Sequence, residues 1–275
     1  MAVIIDGKKL AEKIYAEVAL ETAKLPRRPC LAAVLVGDDP ASHIYVRNKE
    51  GDCKKCGIES RRFDLPADTQ QERLLALIDE LNHDDGVDGI LVQLPLPKQI
   101  DEMAVIQAIS PDKDVDAFHP LNVGKMVTGE PVFWPCTPAG IMEMFREYGI
   151  SLDGKNCVVV GRSNIVGKPM GLLLLRANAT VTYCHSHTRD LAETTRQADI
   201  LVVAAGHPGL ITGDMIKPGA VVIDVAMNRN PDTGKLTGDV VFDEAEKIAS
   251  FITPVPGGVG PMTRAMLMKN ILHSV

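Results

Sequence analysis

The sequence predicts an α/β protein with mostly parallel strands, organised as two domains. Short apolar runs that fit buried strands, such as LAAVLVG at 31–37, alternate with helical patterns along the chain, which is typical of repeated βα units. A glycine-rich turn at 161–167 follows the apolar run 158–160 and leads directly into an apolar helix. The chain has 275 residues, 45% of them apolar, so it can form one large or two modest domains.

In the first half of the chain, helix and strand signals follow one another closely. Asp6 is a predicted N-cap, and Asp39 followed by Pro40 predicts the start of a helix that Gly57 ends. Apolar spacing from Leu74 predicts a further helix. We expect strands near 31–37, 58–63 and 89–94, a helical piece at 101–109, and a loop over 110–136.

The second half continues the same alternation. Thr137 and Pro138 predict a helix start, and Gly149 predicts its end. We expect strands near 158–160, 180–184, 199–205 and 220–225, helices near 243–249 and 262–273, and a loop at 253–263. The glycine-rich turn lies past the middle, so about 120–135 residues before it must form a separate domain.

Charge and cysteine usage narrow the class of protein. The net charge of −7 argues against a broad nucleic-acid surface, no apolar run approaches a membrane span, and no secretory signal is visible. Scattered cysteines indicate a cytosolic protein with reduced thiols. Cys53 and Cys56 form a CxxC that fits a zinc or redox site or a buried pair; we expect the buried pair and no metal.

The glycine-rich turn is the first candidate site. Gly161 and Gly167 stand six apart, which departs from the strict dinucleotide motif and fits either a phosphate-binding loop or an ordinary turn. The strand TVTYC ends in Cys184-His185-Ser186-His187, without the carboxylate that binds an NAD ribose. Arg162 and Ser186 would instead accommodate a 2′-phosphate, which favours NADP over NAD.

Four further segments carry residues suited to chemistry. Tyr45 and Lys49 share a helix face and fit either a planar substrate beside a proton-transfer group or a plain surface pair. Gln93 ends a strand in QLPLP, where it either binds a ligand or precedes a proline stop. Asp114 and Asp116 in KDVDAFHP could bind a ring that carries N–H donors, could bind a metal, or could lie in a solvated loop, and we expect His119 to have a structural role. The segment TPVPGGVGPMT at 253–263 fits either a loop that contacts a ligand or a turn between domains.

The segments YVRNK, QLPLP, KDVDAFHP, PCTP, VVVGRSNIVGKP, CHSHT, IKPGAVVIDV, GDV and TPVPGGVGPMT occur in one order across nearly the whole chain. In this combination the chain resembles the bifunctional methylenetetrahydrofolate dehydrogenase/methenyltetrahydrofolate cyclohydrolase family. The resemblance implies an N-terminal α/β catalytic domain that binds folate (1–136 with 258–275) and a Rossmann-type NADP-binding domain (137–257). It also implies that the last helix returns to the first domain, and that a cytoplasmic homodimer forms through the cofactor domain.

The same resemblance implies two reactions of one-carbon metabolism that serve purine biosynthesis. NADP takes a hydride from 5,10-methylenetetrahydrofolate, and water then opens the methenyl product to 10-formyltetrahydrofolate. The resemblance implies Lys49, Gln93 and Asp116 as catalytic residues. It implies that Tyr45, Pro256 and Gly257 bind the substrate. The cofactor-binding positions that it implies are Gly161, Arg162, Ser163, Ser186 and Met227.

A few positions depart from the usual family pattern. Ala117 and Ala226 replace glycines, and Met227 replaces isoleucine; if Ala226 needs a positive φ, its loop must shift. Arg264 replaces a small apolar residue, and we expect it to point to solvent or to the glutamate tail of the substrate. The alternatives are a ligand-binding protein without turnover, an NAD-dependent enzyme, a cyclohydrolase alone, or a shikimate-type dehydrogenase.

Overall fold

The computed structural model describes residues 1–229 and 234–275. The strands are β1 (Val3–Ile4), β2 (Cys30–Val36), β3 (Glu59–Leu65), β4 (Gly89–Val92), β5 (Asn156–Val160), β6 (Thr180–Cys184), β7 (Ile200–Val203), β8 (Val221–Asp224), β9 (Asn228–Arg229), β10 (Leu236–Thr237) and β11 (Phe251–Ile252). The helices are α1 (Gly7–Thr22), α2 (Pro40–Lys55), α3 (Gln71–Asn82), α4 (Glu102–Ala108), α5 (Pro120–Thr128), α6 (Cys136–Glu147), α7 (Gly167–Arg176), α8 (Leu191–Thr195), α9 (Phe242–Ala245) and α10 (Val259–His273).

Contacts divide the chain into two compact units. The six-stranded unit comprises Met1–Ala11 and Thr137–Thr263, and the three-stranded unit comprises Glu12–Cys136 and Arg264–Val275. The two-domain α/β class predicted from the sequence is therefore confirmed, and the C-terminal part of α10 belongs to the unit formed by the first half of the chain. The residue ranges predicted for the two domains stay a prediction.

The three-stranded unit is a parallel sheet in the order β3-β2-β4. Every residue of β2 is buried because this central strand has neighbours on both sides and apolar side chains on both faces. Helix α2 begins where predicted, with the Asp39 carboxylate accepting from the Ser42 backbone N–H at 2.8 Å. Helix α3 packs its predicted apolar face onto the same core, through Leu74, Leu77, Ile78 and Leu81.

The predicted loop over 110–136 is wrong in part, because α5 lies inside it. His119 caps this helix, with its Nδ1 accepting from the Leu121 N–H at 3.1 Å, and Pro120 occupies the first position. Gly129 ends the helix with a φ of 97°, a conformation in which glycine carries no steric penalty. The start and stop residues of this short helix are present in the sequence.

The six-stranded unit holds a parallel sheet in the order β1-β11-β8-β7-β5-β6. Strand β5 pairs with β6 on one side and β7 on the other, so the strand order reverses there. In open parallel sheets of this Rossmann type, ligands bind outside the carboxyl ends of the strands at such a reversal. The site predicted from the glycine-rich turn therefore lies at the expected edge.

None of the helices within 1–229 and 234–275 combines the length and apolarity needed to cross a bilayer.

Candidate active and cofactor sites

Helix α2 sets the positions of Tyr45 and Lys49. Val46, between them, is fully buried against Ala33 and Leu35 of β2, which fixes the rotation of the helix on the sheet. Tyr45 keeps 37% of its surface exposed, and Lys49 is half-buried one turn later. A ring and an amine are thus presented side by side, as the spacing predicts.

The amine of Lys49 meets the side chain of Gln93. Lys49 Nζ donates to Gln93 Oε1 at 3.1 Å. Gln93 is itself fixed, because its Nε2 donates to the Leu94 carbonyl at 2.6 Å and its backbone N–H donates to the Val34 carbonyl at 2.9 Å. The amide oxygen is therefore held toward the lysine, and Gln93 orients Nζ at the carboxyl end of β4.

Asp116 completes this cluster. Burial raises the pKa of its carboxyl group, while the Lys49 cation and a hydrogen bond from the Cys136 thiol act in the opposite direction. The thiol lies 3.9 Å from Asp116 Oδ1, and burial and the neighbouring carboxylates raise its own pKa, so it stays a neutral donor. The three-stranded unit thus brings Lys49, Gln93 and Asp116 together, with Tyr45 one turn away on α2.

Asp114 organises the loop that carries Asp116. Its carboxylate accepts from the His119 N–H at 2.8 Å, the Phe118 N–H at 3.2 Å and Asn122 Nδ2 at 2.9 Å. Burial raises the pKa of Asp114 to about 6, against the effect of these donors. From the sequence, Asp114 could not be told apart from Asp116 as a ligand-binding carboxylate; its neighbours show that it supports the loop.

The two alanines that replace family glycines differ in backbone conformation. Ala117 has a φ of 60°, in the left-handed region that disfavours a side chain. Ala226 is not among the described residues with positive φ, so the condition for a shifted loop is not met there. The conformational cost of these replacements therefore falls beside Asp116, and the backbone at Ala226 is compatible with alanine.

The last helix contributes two polar side chains to the three-stranded unit. Asn270 Nδ2 donates to the Val115 carbonyl at 2.7 Å and to the Trp134 carbonyl at 2.9 Å. Arg264 forms an ion pair with the buried Asp52, with Arg264 Nη1 2.5 Å from Asp52 Oδ2. The expectation that Arg264 points to solvent or to a substrate tail is wrong, because a buried carboxylate 212 positions earlier in the chain holds it.

The predicted phosphate loop shows the close packing that glycines allow. Gly161 has a φ of 127°, and a Cβ there would lie 2.2 Å from the Ala204 carbonyl oxygen on the neighbouring β7 segment. At Gly167 a Cβ would lie 2.3 Å from the Gly161 oxygen, and at Gly171 2.2 Å from the Tyr183 hydroxyl. The three glycines serve the tight turn, the loop and the helix–strand contact, as in dinucleotide-binding folds.

Two backbone N–H groups of the predicted phosphate loop at 161–167 have no hydrogen-bond partner among the described residues. Ser163 Oγ accepts from the Val166 and Gly167 N–H groups at 3.2 and 3.3 Å. The backbone N–H groups of Asn164 and Ile165 have no partner within the described part of the chain. Open donors at the N-terminus of a ten-residue helix fit a phosphate, since the helix dipole adds positive potential there.

Arg162 and Ser186 lie at the same edge of the sheet. They follow β5 and β6, whose last residues pair, and the Gly161 N–H donates to the Cys184 carbonyl at 2.9 Å. Both side chains are exposed, and the Arg162 guanidinium has no ion pair with another described residue. The Arg162 cation after β5 lies beside the end of β6, where residues 185–187 include no carboxylate, and this arrangement fits a 2′-phosphate.

The remaining predicted residues lie on loops of the six-stranded unit. Met227 is 40% exposed in the segment after β8. Pro256 is exposed. Gly257 has a φ of 109°, and its carbonyl accepts from the Lys8 N–H at 3.0 Å.

Among residues 1–229 and 234–275, no cluster of three or more His, Cys, Asp or Glu is placed to hold a metal ion.

Comparison with known proteins identifies relatives of both halves of the chain. Residues 5–116 match the family model described as the tetrahydrofolate dehydrogenase/cyclohydrolase catalytic domain, and residues 135–275 match that of its NAD(P)-binding domain. The bifunctional protein FolD of Acetivibrio thermocellus is 58% identical over 99% of this chain and 96% of its own length.

Two solved structures extend the comparison. The bifunctional FolD enzyme of Campylobacter jejuni is 50% identical with a TM-score of 0.98, covering 100% of this chain and 98% of that one. The Trypanosoma brucei methylenetetrahydrofolate dehydrogenase-cyclohydrolase, solved with NADP and an inhibitor, is 43% identical with a TM-score of 0.95, covering 99% and 97%. This chain belongs to the tetrahydrofolate dehydrogenase/cyclohydrolase family.

Proposed function

We propose that this chain catalyses two consecutive reactions on a folate. The first is the NADP-dependent oxidation of 5,10-methylenetetrahydrofolate to 5,10-methenyltetrahydrofolate. The second is the hydrolysis of that product to 10-formyltetrahydrofolate. The observation that carries the proposal is the match of both family domains along the chain, together with a Lys49–Gln93 hydrogen bond beside Asp116.

In this proposal Lys49 moves the proton of the hydrolytic step. Water adds to the methenyl carbon, loses a proton, and the bond from that carbon to N5 breaks to leave the formyl group on N10. An amine at Nζ, directed by the Gln93 oxygen at 3.1 Å, is placed to accept and return that proton. The nearby Asp116 carboxylate would accept from the N–H groups of the pterin ring, which fixes the reacting carbon relative to Nζ.

Three other residues would bind the folate. The exposed ring of Tyr45 offers a face for the flat pterin to stack on. Pro256 and Gly257 are proposed substrate contacts from the 253–263 loop; Gly257 has no Cβ, so its backbone can approach a ligand closely. Their assignment comes from the family motif, and the positive φ of Gly257 is consistent with it.

The cofactor residues form a second proposed set. Gly161 and Ser163 shape the loop that would hold the phosphates, and Arg162 and Ser186 would bind the 2′-phosphate. Met227 would contact the nicotinamide side. NADP, when bound, supplies the hydride acceptor for the oxidation. The chain's own part is to orient the cofactor and to select it through the free Arg162 cation.

We further propose the functional limits of the two domains and the setting of the enzyme. Residues 1–136 with 258–275 form the folate-binding catalytic domain, and residues 137–257 the NADP-binding domain. The enzyme acts as a cytoplasmic homodimer in the one-carbon metabolism that serves purine biosynthesis, without nucleic-acid or membrane partners. Family membership supports these proposals.

The test is steady-state formation of methenyltetrahydrofolate by the purified protein, with NADP and NAD compared side by side. A lost charge-assisted hydrogen bond is worth about 1.5–3 kcal/mol, so we expect NADP to be favoured by about 10- to 100-fold. Preference for NAD would overturn the roles of Arg162 and Ser186. Absence of turnover with both cofactors would overturn the oxidation itself.

The hydrolytic step is tested with a substitution at Lys49. K49M should abolish hydrolysis of methenyltetrahydrofolate, since methionine cannot carry a proton. Lys54 is an exposed lysine on the same helix, so K54M is the matched control and should keep both activities. If K49M retained both activities, the assigned role of Lys49 would be wrong.

A further inference from the structure

A buried carboxylate of the six-stranded unit has no role so far. Asp239 is fully buried after β10. Its Oδ2 accepts from the backbone N–H groups of Ala205 at 2.7 Å and Gly206 at 2.8 Å, and its Oδ1 accepts from Asn228 Nδ2 at 2.8 Å. Three donors converge on one carboxylate, so their positions depend on it.

The donors belong to two loops at the cofactor edge. Ala205 and Gly206 follow β7, next to the point where the strand order reverses at β5. Asn228 lies one residue after Met227 in the segment that follows β8, and β7 and β8 are paired neighbours. The carboxylate of Asp239 therefore joins the loops that leave two adjacent strands at the edge where the cofactor is proposed to bind.

A second buried carboxylate fixes Asp239 in turn. Asp224 Oδ1 accepts from the Asp239 N–H at 3.0 Å and the Ala226 N–H at 3.2 Å, and Asp224 Oδ2 accepts from the Val240 N–H at 2.9 Å. A Cβ at Gly238 would lie 1.8 Å from Asp224 Oδ2, so the backbone must pass against the carboxylate. Asp239 cannot shift without breaking these contacts, and it holds its own partners from a fixed point.

We propose that Asp239 is a positioning residue for the oxidation. It holds the Met227 segment and the turn at 205–206 in the conformation that receives the nicotinamide half of NADP. Asp239 lies beneath the two loops and acts through the groups it holds. The proposal rests on the proposed function, and it predicts that the oxidation and NADP binding depend on Asp239 while the hydrolysis does not.

The test exchanges the donor and the acceptor of the Asp239–Asn228 contact. In D239N the negative charge is lost, so the two backbone N–H groups keep only a neutral acceptor, and the amide of Asn228 must turn over to remain hydrogen-bonded. The double variant D239N/N228D restores a donor–acceptor pair at the same place. The matched control is D153N, since exposed Asp153 accepts from Asn178 Nδ2 at 2.9 Å, in the same chemistry away from this edge.

Two quantities are measured for each variant: the dissociation constant for NADP by calorimetry, and the rate of methenyltetrahydrofolate hydrolysis without cofactor. We expect D239N to weaken NADP binding by about tenfold or more, with hydrolysis within about twofold of wild type. The double variant should recover most of the affinity, and D153N should match wild type in both measurements.

Unchanged NADP affinity in D239N would overturn the proposal. A parallel loss of NADP binding and hydrolysis that the double variant does not rescue would also overturn it, because it would show a general structural role. If D239N does not fold, the double variant decides, since wild-type affinity supports the proposal and weak affinity contradicts it. A wild-type protein that binds NADP without turnover would refute the proposed function but leave this test intact.

Discussion

Replacing Arg264 with methionine removes the cation from a mostly buried ion pair. The Asp52 side chain is 5% exposed and that of Arg264 is 27% exposed, with 2.5 Å between Nη1 and Oδ2. Burial raises the pKa of Asp52 and the Arg264 cation acts against this effect. In R264M the carboxylate stays in the interior without its counterion, which is the costly way to break a buried pair.

The size of the loss follows from the geometry. Two charges about 4 Å apart interact by about 4 kcal/mol at an effective dielectric constant of about 20. Partial exposure of Arg264 lowers this figure, and removal of one partner from a buried pair typically costs about 3–5 kcal/mol. We therefore expect R264M to lower the free energy of unfolding by about 2–4 kcal/mol near neutral pH.

The loss must depend on pH. Without Arg264, the pKa of Asp52 in the folded state rises further above its unfolded value, so the folded state binds a proton more tightly. The penalty is then complete above the folded pKa and disappears as the pH falls toward the unfolded value. The R264M loss should shrink between about pH 7.5 and about pH 5.

Urea unfolding at these two pH values measures the effect. R73M is the matched control, because Arg73 pairs with Glu80 at 3.8 Å with both side chains largely exposed, and it should cost less than about 1 kcal/mol. The double variant D52N/R264M removes the unpaired charge and should recover at least half of the loss. Equal losses for R264M and R73M at both pH values would refute the reasoning.

Three further changes test other parts of the structure. G161A would place a Cβ 2.2 Å from the Ala204 oxygen, so NADP binding should be lost while cofactor-free hydrolysis persists; unchanged NADP affinity, measured by calorimetry, would contradict the packing. N270L removes the amide that donates to the Val115 and Trp134 carbonyls and should cost about 1–3 kcal/mol in urea unfolding, so a neutral effect would contradict the contacts. Burial raises the pKa of Asp114 and Asp224 to about 6, so the folded state binds their protons more tightly than the unfolded chain does. The free energy of unfolding of the wild-type protein should therefore increase by about 1–3 kcal/mol as the pH is lowered from about 7.5 to about 5. A wild-type stability that falls over this range would contradict the burial of these two carboxylates.

Local signals in the sequence predicted most of the fold. The continuous apolar run of β2, the Asp39–Pro40 start of α2 and the glycine-rich turn before α7 are each read from a few adjacent residues. Helix α5 was missed although His119, Pro120 and Gly129 mark its ends, because it is short and the surrounding composition is typical of a loop. The length of an element therefore limited the prediction more than whether the element was a helix or a strand.

Local sequence signals predicted less of the candidate sites than of the fold. Residue type and spacing left the roles of Lys49, Gln93 and Asp116 open, and the family resemblance singled them out. The structure brings these three together; their roles stay predictions. The supporting contacts could not be predicted, because Arg264 with Asp52 and Asp239 with Ala205 join positions far apart in the chain. For Asn270 the sequence did offer a signal, because Lys269 and Asn270 interrupt the apolar residues 265–268 and 271–272.

The connectivity of the two units has a consequence for biosynthesis. The N-terminal strand β1 pairs with β11, and residues 264–275 complete the unit formed by the first half of the chain. Neither unit is a continuous stretch, so the six-stranded unit can reach its final contacts only after β11 has been made, and the three-stranded unit only after residues 264–275 have been made. A chain stalled before β11 would therefore leave β1 without its partner strand and the three-stranded unit without residues 264–275.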